Sequence, residues 1–187
     1  IADLYILACK TDPNAGAKGI SLILVEGDCE GFKRGRNLEK VGCKAQDTSE
    51  LFFEDVRVPI TNLLGQEGRG FVQLMQQLSQ ERLVVSIRCA TSIEAALDET
   101  LRYTTERQAF GRRLADFQNT RFKLAEVKTD ALVTRAFIDQ CIALHVKGAL
   151  SPEHAAAAKL HSTEILNKVV DECLQLHGGY GYMWEFP

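Results

Sequence analysis

The sequence predicts an α+β protein, an incomplete sheet followed by an antiparallel helical bundle. Three observations predict it. Short β-branched or leucine-rich runs, separated by turn chemistry, fill roughly the first sixty residues. After Gly65 the hydrophobic period changes from two to about three and a half. From there on, long periodic stretches are joined by short breaks, which favours antiparallel neighbours.

The elements follow in order. Residues 4–9 and 20–25 are the first strand candidates, with Pro13-Asn14-Ala15-Gly16 as the turn between them. Residues 31–35 and 49–56 supply two more; in the latter Leu51 and Phe53 alternate with Phe52 and Glu54, and Pro59 stops the sheet. Such a four-strand piece is marginal alone, and its open edges imply partners elsewhere. Phe71, Leu74, Met75 and Leu78 share one helical face. Ser79 is read as the N-cap of a second helix through Leu83, Ile87, Ala90, Ala95 and Leu101 to about Arg107. Gly111 interrupts the pattern across 108–116. A third helix is expected over 117–146, burying Phe122, Leu124, Val127, Ala131, Phe137 and Leu144. Ser151-Pro152, a capping serine with proline at the first helical position, starts the last helix. It ends at Gly178-Gly179, glycines suited to a left-handed cap. No internal repeat is present.

Composition narrows the function. The chain has 187 residues and a net charge of −3, with Lys and Arg scattered among acidic residues. That argues against nucleic-acid binding, which needs a basic face, but a few local arginines suffice for an anionic ligand. Six cysteines show no CxxC spacing, so reduced, mostly buried thiols are expected in place of a zinc cluster or disulfide scaffold. The apolar stretches are too short for a transmembrane segment. The opening Ile1-Ala2-Asp3-Leu4 resembles strand sequence and lacks a basic n-region or an initiator Met, so the chain is expected to be a piece of a longer protein, with any targeting signal outside it. His145, His154, His161 and His177 lack a metal-ligand pattern, and no metal is expected. No Gly-x-Ser-x-Gly elbow occurs, and no cysteine has an obvious histidine partner. Gly178-Gly179-Tyr180-Gly181 follows a helix, which is the wrong context for a Rossmann fingerprint.

Three segments then carry a resemblance: Gly42-Cys43-Lys44-Ala45-Gln46-Asp47-Thr48 leading into Leu51-Phe52-Phe53-Glu54-Asp55-Val56; Glu106-Arg107-Gln108-Ala109-Phe110-Gly111; and Gln175-Leu176-His177-Gly178-Gly179-Tyr180-Gly181-Tyr182. In this order and spacing they resemble the acyl-CoA dehydrogenase family over essentially the whole chain. Gln46-Asp47 and the ending Met183-Trp184-Glu185-Phe186-Pro187 look most like its long-chain type.

The resemblance implies a partial middle β-domain over 1–62, an incomplete barrel-like sheet, and a C-terminal helical bundle over 63–187 truncated before its last helix. It implies FAD as cofactor, with Arg107, Phe110 and Gln118 as contacts, and Gln175, Leu176, His177, Gly178 and Gly179 reaching the FAD of a neighbouring subunit in a homodimer or homotetramer. The reaction implied is α,β-dehydrogenation of a fatty acyl-CoA to the trans-2-enoyl-CoA. Electrons would pass to an electron-transferring flavoprotein, in a bacterial cytoplasm or a mitochondrial matrix. The isolated piece is expected to be inactive.

Such chemistry needs a carboxylate to take the α-proton and donors to hold developing enolate charge. In most family members the base lies beyond the Gly-Gly-Tyr-Gly segment. In the long-chain and isovaleryl types it sits in a Glu-Arg pair early in the first long bundle helix. Gln80-Glu81-Arg82-Leu83 matches that second arrangement and makes Glu81 the candidate base, with Leu78, Val84 and Val85 as apolar neighbours. By sequence pattern alone Glu81 reads first as a first-turn carboxylate stabilised by the helix dipole, and the resemblance reverses that in favour of catalysis. Glu185 falls in a structural turn and is not chosen. Val72, Ser79, Gln80 and Arg82 border the substrate in the family pattern, Arg82 toward the CoA end; related long-chain enzymes carry a bulkier aromatic where Val72 stands. Two alternatives stay open: a family member with mainly an assembly or interaction role, or a catalytic one whose base lies in a C-terminal segment beyond this chain.

Overall fold

The computed structural model describes residues 2–186. Ile1 and Pro187, at the two ends of the strand-like opening and the closing motif, lie outside the described residues. Two compact units, Ile1–Gln76 and Gln77–Pro187, divide the chain.

In the first unit β1 (Leu4–Lys10) and β2 (Ile20–Glu26) pair antiparallel, with Leu4 opposite Glu26 and Lys10 opposite Ile20. β3 (Phe32–Asn37) and β4 (Ser49–Phe53) form a separate antiparallel pair whose register shifts between Arg34 and Asn37. The four expected strands are thus present as two small open ladders. Aromatic rings join the ladders: Tyr5 meets Phe32 at 4.8 Å, and Phe32 meets Phe53 at 5.2 Å. Ser21 is fully buried because it anchors the loop that leads into the helices. Its hydroxyl shares a hydrogen bond with Thr11 and accepts from the Gly68 N–H at 2.9 Å.

The helices are α1 (Gly70–Glu106), α2 (Gln118–Val146) and α3 (Pro152–His177). One expectation fails here. Ser79 caps nothing; α1 runs through it without a break for 37 residues. After Gly70 no glycine or proline interrupts this stretch, so the helix absorbs a serine whose preference for a cap is weak. Ala95 and Leu101 prove exposed, as does Phe122 on α2. Ser151 does cap α3, accepting from the His154 N–H at 3.2 Å, with Pro152 behind it. The exit differs from expectation in conformation. Gly178 has φ 59° and ψ −135°, outside the left-handed helical region and accessible only to glycine. A short 3-10 helix, Gly178–Tyr182, follows directly.

Two apolar clusters define how the bundle runs. Ile93 and Leu97 of α1 meet Leu124, Val127 and Ala131 of α2 and Val169 and Cys173 of α3. Leu83 and Ala90 meet Ile138, Cys141 and Ala158. Low numbers on α1 therefore pair with high numbers on α2, and these with low numbers on α3. The arrangement is up, down, up, with antiparallel neighbours as the short connections predict. Ser86, Thr100 and Thr104 are buried on α1, and each donates its hydroxyl to the carbonyl four residues back. Three of the six free cysteines, Cys89, Cys141 and Cys173, are buried. Burial pushes the Cys141 and Cys173 thiols up, so they pack as small apolar side chains.

Ion pairs follow the same register. Arg135 of α2 donates two hydrogen bonds to Glu94 of α1, at 2.7 and 2.5 Å. Hydrogen bonding from Arg135 holds the Glu94 carboxyl below its usual range. A depressed carboxylate stabilises the fold above its unfolded-state pKa, and that contribution is lost as pH falls through the folded value. Both side chains are partly exposed, so screening leaves about 0.5–1 kcal/mol. Melting temperature followed from about pH 7 to about pH 3 is expected to fall less steeply in Glu94→Gln than in the wild type. Parallel slopes would show that the pair contributes nothing.

Candidate functional site

Arg107 closes α1, and the chain turns at once into a two-residue hairpin. β5 (Gln108–Ala109) pairs with β6 (Arg112–Arg113), leaving Phe110 and Gly111 at the tip with φ 54° and 77°. Two successive positive φ values are the signature of a I′ turn, and glycine suits the second. Phe110 does not suit the first: a left-handed conformation costs a residue with a β-carbon about 1–2 kcal/mol. It also stands 96% exposed, its ring edge-on to Phe117. A strained, solvent-facing aromatic with little internal packing is a pointer to contact with something outside the chain.

The end of α3 comes to the end of α1. Tyr103, Arg107, Gln175, Leu176, His177, Gly178, Gly179 and Tyr180 line one open concavity of about 470 Å³, with Leu114 and Met183 at its border. The Arg107 guanidinium lies 5.0 Å above the Tyr180 ring. His177 is buried, and its Nδ1–H donates to the Cys173 carbonyl at 2.9 Å. A β-carbon built on Gly179 would meet nothing within 4 Å, so this chain's own packing does not demand glycine there. The space it leaves lets a ligand approach the backbone.

Six of the residues singled out in the sequence, Arg107, Gln175, Leu176, His177, Gly178 and Gly179, are thus brought together. Phe110 and Gln118 are not among them. Gln118 opens α2 and is exposed, and Phe110 sits at the hairpin tip beside Phe117, over whose ring Arg112 stacks at 3.8 Å. Tyr103 and Tyr180 escaped sequence reasoning. A signal for Tyr103 existed: it stands four residues before Arg107, one helical turn away on the same face.

Val72, Ser79, Gln80, Glu81 and Arg82 all lie on α1. Residues 79–82 wrap most of a helical turn, so Ser79 and Arg82 fall on a half-buried side while Gln80 and Glu81 are exposed. Val72 is exposed in the first turn. Glu81 has no ion pair or side-chain hydrogen bond among the described residues, and the nearby Val84 and Val85 are exposed at 58% and 39%. Among the described residues it is an unpaired carboxylate beside exposed apolar side chains. Glu81 lies on α1 and Arg107 directly follows its last residue, 26 residues on, about 40 Å away at 1.5 Å per residue. No single dinucleotide in contact with Arg107 reaches Glu81 of the same chain.

Among the described residues no group of three or more His, Cys, Asp or Glu is placed to hold a metal ion. No described helix is long and apolar enough to cross a membrane.

The relatives of this chain agree on one family. Residues 68–187 match the model for the acyl-CoA dehydrogenase C-terminal domain. The chain belongs to the acyl-CoA dehydrogenase family. Its whole length is 49% identical to the mitochondrial long-chain specific acyl-CoA dehydrogenase of Mus musculus, of which it covers 44%. An acyl-CoA dehydrogenase structure from Geobacillus kaustophilus superposes with a TM-score of 0.95 at 50% identity, over 99% of this chain and 49% of that one. The butyryl-CoA dehydrogenase structure from Megasphaera elsdenii gives 0.95 at 35% identity, over 100% of this chain and 49% of that one. The chain spans about half the length of the relatives it matches.

Proposed function

We propose that this chain carries the base and part of the cofactor site of an FAD-dependent enzyme that converts a fatty acyl-CoA to its trans-2-enoyl-CoA. The observation that carries the reading is the gathering of Arg107, Gln175, His177, Gly178 and Gly179 around one concavity in a member of this family.

The donor set fits a dinucleotide. Its diphosphate needs positive charge and a close backbone N–H donor, which Arg107 and the unobstructed Gly179 supply, while Gln175 adds an amide. FAD, when bound, supplies the acceptor for the hydride that leaves Cβ. The chain's own task is proton chemistry and placement. The Glu81 carboxylate takes the α-proton, the C–H electrons move into the new Cα–Cβ double bond, and the β-hydrogen departs with its electron pair. Arg82 is assigned to the CoA end, with Val72, Ser79 and Gln80 along the substrate.

The 40 Å between Glu81 and Arg107 supports a homo-oligomer, each copy offering its 175–179 turn to a cofactor whose substrate meets Glu81 of another. We assign electron transfer onward to an electron-transferring flavoprotein, and a home in a bacterial cytoplasm or mitochondrial matrix.

The test is anaerobic titration of the intact protein with a long-chain acyl-CoA. Stoichiometric loss of the oxidised flavin absorbance is expected within the mixing time. Protein that purifies with FAD but stays yellow with every acyl-CoA would point instead to an assembly role, and protein that takes up no FAD would remove the reading altogether.

A further inference from the structure

We propose that Tyr103 is a positioning residue for the cofactor site, a clamp that sets the Gly178-Gly179 backbone without serving as a direct ligand. The proposal rests on the FAD reading above. Tyr103 is half-buried on α1 and 74 residues from His177 in sequence, yet it holds that residue twice. Its ring stacks on the imidazole with centroids 4.3 Å apart and planes 17° from parallel. Its hydroxyl donates to the His177 carbonyl at 3.2 Å.

That carbonyl is a telling one. It is the last of α3, among the four at a helix C-terminus that have no partner within the helix. On the other side of the same peptide, the Gly178 N–H donates to the Gln175 carbonyl. The 177–178 peptide plane is therefore held at both edges, once by α3 itself and once by Tyr103. Directly beyond it Gly178 turns the chain at φ 59°, ψ −135°, and presents the Gly179 backbone to open space. Glycine backbone is intrinsically permissive, and Tyr103 adds to the short 3-10 helix Gly178–Tyr182 a second hold on the His177 carbonyl from which that helix starts, which keeps the Gly179 N–H aimed. The His177 ring cannot rotate to release the plane, because Cys173 holds its Nδ1–H and Tyr103 covers its face. Spacing adds a further point: Tyr103 and Arg107 are one turn apart, so a single face of α1 offers both the cation and the clamp. Since its hydroxyl proton and ring face are already committed to His177, Tyr103 acts through that turn.

The test compares intact wild-type protein with Tyr103→Phe, which keeps the stack and loses the hydrogen bond, and Tyr103→Leu, which loses both. Cys141→Ala, in the other apolar cluster, is the control for lost stability. Apoprotein is titrated with FAD by fluorescence quenching, and its melting temperature is recorded separately. Tyr103→Phe is expected to weaken FAD binding about three- to tenfold, the range of one net hydrogen bond. Tyr103→Leu should weaken it further, and Cys141→Ala should melt earlier while binding FAD as the wild type does. Wild-type affinity in Tyr103→Phe overturns the proposal. So does an equal loss of affinity in Cys141→Ala, which would make the effect one of general stability. Should Tyr103→Leu fail to fold, the Phe variant still decides. Wild-type protein that takes up no FAD refutes the functional reading and the clamp together, whereas unaltered binding in Tyr103→Phe refutes the clamp alone.

Discussion

Glu81→Gln in the intact protein is expected to slow flavin bleaching by a long-chain acyl-CoA by about a hundred- to ten-thousandfold, the usual contribution of a positioned general base. In barrier height that is about 3–5 kcal/mol. The substitution keeps the shape of the side chain and removes its capacity to take a proton. Glu81 is exposed and makes no ion pair or side-chain hydrogen bond among the described residues, so the fold should hardly notice, within about 0.5 kcal/mol. FAD content should also be unchanged, since Arg107, at the candidate cofactor site, lies just past the far end of α1, about 40 Å from Glu81. This combination separates lost chemistry from lost binding. If the variant bleaches as fast as the wild type, the base lies elsewhere in the protein and Glu81 is only a solvated helical carboxylate.

Ile93→Ala should have the largest effect on stability. Ile93 is fully buried and packs with Leu97, Leu124, Val127, Val169 and Cys173, in one of the two clusters where all three helices meet. Truncation removes three carbons from a site enclosed on every side, and rigid helices collapse only partly into the space. The expected cost is about 2–5 kcal/mol. Against a total of about 5–15 kcal/mol, that is a large share. The same cluster supports the site: Cys173 belongs to it, and Cys173 holds the His177 ring. Urea unfolding is therefore expected to show an earlier midpoint with unchanged slope, and FAD uptake should weaken in parallel with stability. A loss below about 1 kcal/mol would mean that the helices close over the gap.

Local chemistry made part of this molecule legible. Ser151-Pro152 announced the start of α3, and the four strand segments were readable from composition and turns, because caps and turns depend on a few adjacent residues. The same local reasoning misjudged Ser79. A serine is compatible with a cap, and only the continuation of helical hydrogen bonding on both sides decides against one. Arg107 and the 175–179 turn were recognisable as candidates by family resemblance, one motif at a time.

By itself, then, the sequence determined the type of nearly every element and the residues with the chemistry for an anionic, glycine-lined site. Tertiary structure decided which of them meet. The packing of α1 on α3 carries Tyr103 and Arg107 to His177 and Gly178, more than seventy residues onward, and an unbroken α1 keeps Glu81 far from them. Periodicity reports which face of a helix is apolar, but the partner of that face and its register are set by the whole core at once.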